Sequence, residues 1–110
     1  MSAWLSPAAA RWGKPMVAYV VFTRERLRDK PEFDTYSKMA GGTLAGHTAK
    51  PLVVYGKSET LEGAPIEGAV IVEFPTMEAA KAWYDSPAYR DAREHRFRGA
   101  DYRVFITEGL

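Results

Sequence analysis

The chain has 110 residues, no cysteine, and 15 Lys and Arg against 14 Asp and Glu, a formal charge of +1. That length suits one domain with a modest core, and the balanced charge offers no general attraction for nucleic acid or an anionic membrane. Without cysteine there are no disulfides, thiolate nucleophiles or cysteine-held metals, and a reducing cytoplasm is the expected setting.

Residues 1–15, "MSAWLSPAAARWGKP", lack the basic start and apolar run of a secretory signal and are expected to be a flexible N-terminal extension. Trp4, Leu5, Ala8 and Trp12 fall at helical spacing, so docking of their side chains is the other expectation. No apolar stretch approaches the roughly 20 residues that cross a bilayer. Residues 16–110 are expected to form a single domain.

"MVAYVVF", 16–22, is rich in β-branched and aromatic types and reads as a first strand. Phe33, Tyr36, Ala40, Leu44 and His47 then recur at steps of 3, 4, 4 and 3, one stripe of a helix that His47 ends. Pro31, Glu32 and Asp34 suit its first turn, whereas Gly41-Gly42 predicts a break. "PLVVYG", 51–56, predicts a second strand, with Pro51 at its start or on an edge.

A polar, turn-rich connection leads to "AVIVEF", 69–74, a third strand expected to pair antiparallel with the second. "TMEAAKAWYD" predicts a helix capped by Thr76. "SPAYRDAREHRFRG" restarts one after Ser86-Pro87 and stops it at Gly99. Its alternating charges read as a solvated face, with Tyr89, Ala92 and Phe97 available for packing. "YRVFIT", 102–107, is the last strand.

Strand, helix, strand, strand, helix, strand is the order of a ferredoxin-like α+β fold, βαββαβ, with both crossovers on one face of a four-stranded antiparallel sheet. The uncovered face is expected to pair with a second copy as a dimeric α/β barrel, because a bare apolar sheet face is unusual for a monomer. Alternation separates Ala18, Val20 and Phe22 from Val17, Tyr19 and Val21, and Val70, Val72 and Phe74 from Ala69, Ile71 and Glu73. The same parity sends Arg103 to the side of Tyr19 and Glu73, and Tyr55 is a candidate for that side too.

Two readings of these polar residues stand. Glu73 and Arg103 form a structural ion pair, or they belong to a small-molecule pocket in which Arg103 binds an anionic oxygen, Glu73 or His47 moves a proton, and Tyr19 or Tyr36 orients the ligand. His47, at the end of its stripe, also suits simple bonding to local carbonyls. Two histidines 48 positions apart define no metal site, and no phosphate-cradling glycine motif or nucleophile elbow occurs. The aromatic residues Trp83, Tyr84 and Tyr89 read as anchors between helices and sheet.

The stretch "AVIVEFPTMEAAKAWYDSPAYRDA", with its Glu73-Phe74-Pro75 strand exit, Met77-Glu78-Ala79-Ala80 helix start, Trp83-Tyr84 and Ser86-Pro87-x-Tyr89, resembles the domain of unknown function family 1330. Met16 to Tyr19 and Phe33-x-x-Tyr36 extend the resemblance over residues 16–110. It implies a dimeric α/β-barrel protomer. Relatives in the wider superfamily work as cofactor-independent monooxygenases, lactone isomerases, aldoxime dehydratases and haem-binding enzymes; fold analogy does not choose among them. Where members follow the first helix with a Gly-Gly turn, this chain has His47-Thr48-Ala49-Lys50, which predicts a different mouth there.

The expectation is therefore a homodimer with a cavity lined by Tyr19, Tyr36, His47, Glu73 and Arg103. It holds a small organic molecule and needs no cofactor for acid/base or oxygenation chemistry. The other expectation is a dimeric structural or interaction module without catalysis.

Overall fold

A computed structural model describes residues 16–110, and the N-terminal extension with Trp4 and Trp12 lies outside the described residues. The elements run β1 (Ala18–Leu27), α1 (Lys30–Ala40), a 3-10 turn (Gly41–Leu44), β2 (Lys50–Val54), β3 (Gly68–Phe74), α2 (Met77–Tyr84), α3 (Pro87–Gly99) and β4 (Ala100–Glu108). The four strands form one antiparallel sheet in the order β2-β3-β1-β4. The fold is α+β and ferredoxin-like, with its helices on one face.

Local chemistry explains the boundaries. Asp29 caps α1 on the Glu32 N–H, Thr76 caps α2 on the Ala79 N–H, and Ser86 caps α3 on the Tyr89 N–H, each occupying a donor that a helix start leaves unpaired. Pro31 and Pro87 sit in first turns, where their missing N–H costs nothing. The two glycines end the α-helix at Ala40 and tighten it into the 3-10 turn. His47 is consequently not on the helix: it lies beyond the turn, its backbone N–H donating to the Leu44 carbonyl at 3.0 Å.

β1 runs five residues past the apolar segment, to Leu27, because β4 continues to pair with it beyond a register shift between Arg24 and Arg26. β2 shifts register between Pro51 and Val53 and ends at Val54. Tyr55 follows with φ of 54°, a left-handed conformation uncommon for a bulky residue. Its ring lies over Gly68, where an added Cβ would stand 2.8 Å from Tyr55 Cδ1.

Parity sorts the faces as the alternation predicts. Ala18, Val20, Phe22, Val72 and Phe74 are buried under the helices, joined by Tyr36, Ala80, Trp83, Tyr89 and Ala92. The helix pair α1 and α3 meets closely at Gly99, whose carbonyl accepts from the Arg28 and Asp29 N–H groups at 2.8 and 2.9 Å. Glu32 of α1 binds Arg98 at 2.7 Å and His95 at 3.2 Å on α3; the hydrogen bond from Arg98 holds the Glu32 carboxyl below its ordinary pKa.

A Cβ at residue 99 would stand 2.7 Å from the Phe33 backbone nitrogen and 3.0 Å from its Cα. Backbone cannot swing aside, so Gly99→Ala is expected to cost about 1–3 kcal/mol in urea unfolding, and an unchanged midpoint would show that the helices part freely.

Candidate functional site

A cavity of about 360 Å³ opens between the sheet and α1, near the β2 edge. Phe22, Val70 and Val72 form its floor, Pro51 and Val54 its strand edge, and Tyr36, Ser37, Ala40 and Leu44 its helical roof. Trp83 and Tyr89 close the inner end, and Tyr55 stands at another side. The floor follows from parity: the residues that point under the helices on β1 and β3 are apolar. The space exists because α1 shortens into small residues, Ala40 and Gly41, above a β2 strand that is exposed throughout.

The inner wall carries the polar atoms. The hydroxyls of Tyr36 and Tyr89 lie 2.8 Å apart, both buried. Trp83 Nε1 donates to Thr43 Oγ1 at 3.0 Å, and that hydroxyl donates to the Ala40 carbonyl at 2.6 Å, so the indole is fixed. Its ring centroid is 4.1 Å from that of Tyr89 and 5.4 Å from that of Phe74. The Tyr55 and Tyr102 hydroxyls are bonded to each other, and Arg24 lies over the Tyr55 and Phe33 rings at 5.2 and 4.9 Å.

Behind this wall sits Arg96, 3% exposed. Its guanidinium carbon is 5.9 Å from the Tyr36 ring, 5.7 Å from Phe22 and 5.1 Å from Tyr102, and one NH2 donates to the Tyr84 hydroxyl at 3.3 Å. Its Nε is buried and has no hydrogen-bond partner among the described residues. Among the described residues no carboxylate lies within 4.0 Å of it. The alternating charges of this segment predict a solvated face. Tyr89, Ala92, Arg96 and Gly99, at steps of 3, 4 and 3, are the buried stripe, and Phe97 is the residue left 48% exposed.

Burial pushes the Tyr36 hydroxyl well above the ordinary tyrosine range, and the Tyr89 oxygen beside it adds to the shift. Burial raises Tyr89 too, with Arg96 acting against it. Tyr102 is raised by burial and by its bond to Tyr55. Burial works to lower the Arg96 pKa, but the oxygens of Tyr89, Tyr36 and Tyr84 outweigh it and the net shift is upward. The wall therefore holds neutral hydroxyls against a fixed positive charge. Such a wall donates hydrogen bonds and stabilises negative charge on whatever occupies the cavity.

Of the five residues expected to line a cavity together, Tyr19, Tyr36, His47, Glu73 and Arg103, Tyr36 alone lines this one. Tyr19 and Glu73 are cross-strand neighbours on the opposite face of the sheet, which no described helix covers, so they cannot meet Tyr36. Arg103 shares that face but pairs with Thr23, four residues along β1 from Tyr19 and on the other side of that strand from Glu73, which sets the two about 13 Å apart along the strands and about 16 Å apart in all. They form no ion pair. Arg103 instead borders a groove under the β2–β3 loop with Glu25 and Glu62.

His47 follows the lining residue Leu44 without lining the cavity itself. Tyr55 turns under the helices, not onto the open face, because its left-handed backbone breaks the strand's alternation. Trp83 and Tyr89 anchor the helices as expected and also line the cavity. Arg96 was missed because its charge outweighed its phase.

Among the described residues no group of three or more His, Cys, Asp or Glu is placed to hold a metal ion, and no helix is long and apolar enough to cross a membrane. The family model described as a domain of unknown function, DUF1330, matches residues 17–110. No curated protein matches the chain.

Several solved structures share the fold. A protein of unknown function from Rhodopseudomonas palustris is 18% identical with a TM-score of 0.71, the match covering 100% of this chain and 95% of that one. A dimeric ferredoxin-like protein of unknown function from Thermobifida fusca is 13% identical, with a TM-score of 0.62 and coverage of 89% and 95%. SnoaB, a cofactor-independent oxygenase from Streptomyces nogalater, is 7% identical, with a TM-score of 0.58 and coverage of 87% and 94%. At these identities the likeness concerns the fold.

Proposed function

This chain belongs to the DUF1330 family, and on that premise we propose that it is a homodimeric binding protein for a small aromatic molecule held between sheet and helices. The observation that carries the reading is the 360 Å³ cavity, walled by aromatic and aliphatic side chains, with the buried hydroxyl pair of Tyr36 and Tyr89 at its inner end. Its size falls at the small end of ligand pockets, with room for one or two fused rings. An apolar floor and a buried hydroxyl pair at the closed end fit such a molecule.

The reading extends to chemistry. Tyr36 and Tyr89 orient the ligand, and Arg96 stabilises negative charge that develops on it, which suits cofactor-independent proton transfer or oxygenation. SnoaB lends support from a shared fold only. Tyr19, Glu73 and Arg103 are assigned to the dimer face rather than to the ligand. That face carries Val21, Ile71, Val53 and Phe105 in cross-strand positions, an apolar surface that a second copy would cover.

The test is occupancy. Indole should bind the wild-type protein, with ligand-detected NMR contacts to the methyls of Leu44 and Val70. Ala40→Trp sets an indole into the cavity roof and is expected to weaken binding at least tenfold, a loss of about 1.4 kcal/mol. Indole contacts elsewhere, or equal binding by the variant, would remove the cavity from the proposal.

A further inference from the structure

Among the described residues, Arg96 is a buried cation with no carboxylate paired to it. Ionised groups withdrawn from water cost several kcal/mol unless paired, and a carboxylate is their usual partner. Here the surrounding elements bring hydroxyls and rings but no carboxylate: Tyr36, Tyr84, Tyr89 and Tyr102, with Phe22 from β1 and Phe97 from α3 itself. Arg24, the other cation near Tyr102, is paired with Glu67 at 3.1 Å and offers Arg96 no counter-charge.

The hydroxyl pair has an excess of donors as well. One proton of Tyr36 and Tyr89 lies between their oxygens, and the other has no protein acceptor among the described residues. A free O–H donor thus belongs to the tyrosine pair that lines the closed end of the cavity, and the Arg96 guanidinium, its Nε without a partner among the described residues, lies behind that pair.

Resting on the cavity reading above, we infer that the ligand is a phenol, bound as its phenolate with the oxygen accepting the one free O–H of the Tyr36–Tyr89 pair and Arg96 behind that pair. A carboxylate would bring two strongly hydrated oxygens to a place with one free hydroxyl proton. A phenolate brings one oxygen, spreads its charge into the ring, and buries the rest of itself against Phe22, Val72 and Trp83. On binding, the ligand O–H bond breaks, the proton leaves to solvent, and the electron pair stays on the oxygen. No other reactant is involved.

The experiment titrates the full-length protein with 4-nitrophenol, whose phenolate absorbs in the visible, and with nitrobenzene, which has the same shape without the hydroxyl. The bound 4-nitrophenol should ionise at least one pH unit below the free compound, a tenfold preference for the anion. Arg96→Met is expected to lower the ratio of 4-nitrophenol to nitrobenzene affinity at least tenfold. Tyr36→Phe, which keeps the cation, is expected to lower it severalfold and serves if Arg96→Met does not fold.

Nitrobenzene binding accompanied by an unmoved or raised ionisation of 4-nitrophenol overturns the phenolate assignment while leaving the cavity reading intact. If neither compound is retained, both readings fall together.

Discussion

Trp83→Ala is expected to remove about 3–5 kcal/mol of folding stability, out of a total that for domains of this size is about 5–15 kcal/mol. The indole is 3% exposed and stands where α2, the sheet and the 3-10 turn converge: stacked on Phe74, against Tyr89, edge-on to Phe22, and tied to Thr43 by its Nε1–H. Removing it deletes the end wall of an existing cavity, so the surroundings have little means of collapsing into the gap. The loss should appear as a lower urea midpoint at constant slope.

Trp83→Phe keeps the ring contact and drops only the hydrogen bond and the second ring. About 1–2 kcal/mol is the corresponding expectation. A cost below 1 kcal/mol for the alanine variant would mean that α2 is held by its cap and the Ser86-Pro87 restart rather than by the indole.

Ile71→Lys is expected to leave a protein that folds and is monomeric. Ile71 lies opposite Val21 on one side and Val53 on the other, in the middle of the uncovered face, and its side chain points away from the cavity. In a two-fold dimer across this face the substitution brings in two ammonium groups, each costing several kcal/mol to desolvate. At 1.4 kcal/mol per decade, a dissociation constant raised more than a hundredfold follows.

Light scattering at low micromolar concentration reads the result, wild type beside variant. A monomeric wild type would refute the proposed dimer, and a dimeric variant would place the interface elsewhere. Phe105, 52% exposed on the same face, provides a second position at which a charge should act in the same way.

The two substitutions sit on opposite faces of one sheet, which is also where legibility from sequence divides. Period-2 alternation identified the helix-side set Ala18, Val20, Phe22, Val72 and Phe74, and put Tyr19, Glu73 and Arg103 together on the other side. The same period said nothing about distance along the strands. Only the pairing of β1 with both β3 and β4 shows that Glu73 is level with Tyr19, and Arg103 with Thr23. Tyr36 was grouped with residues across the sheet because a helix stripe indicates that a face is buried, not against which surface.

Arg96 is the most instructive omission. Its place at i+7 from Tyr89 and i+4 from Ala92 is a core position by spacing, yet hydropathy marks an arginine as solvent-facing. Spacing was the better guide, because helix geometry fixes direction whereas burial of a charge depends on what surrounds it. The rings of Phe22, Tyr36 and Tyr102 that accommodate the guanidinium come from three separate elements.

By itself, then, the order of residues determined the element succession, the caps at Thr76 and Ser86, the restart at Pro87 and the inner and outer sets of each strand. Those follow from backbone geometry within a few residues. The cavity, the turning of Tyr55 beneath the helices and the unpaired cation behind the tyrosines were decided only when strands paired in register and helices settled on them. Each requires side chains far apart in the chain to share one small, dry space.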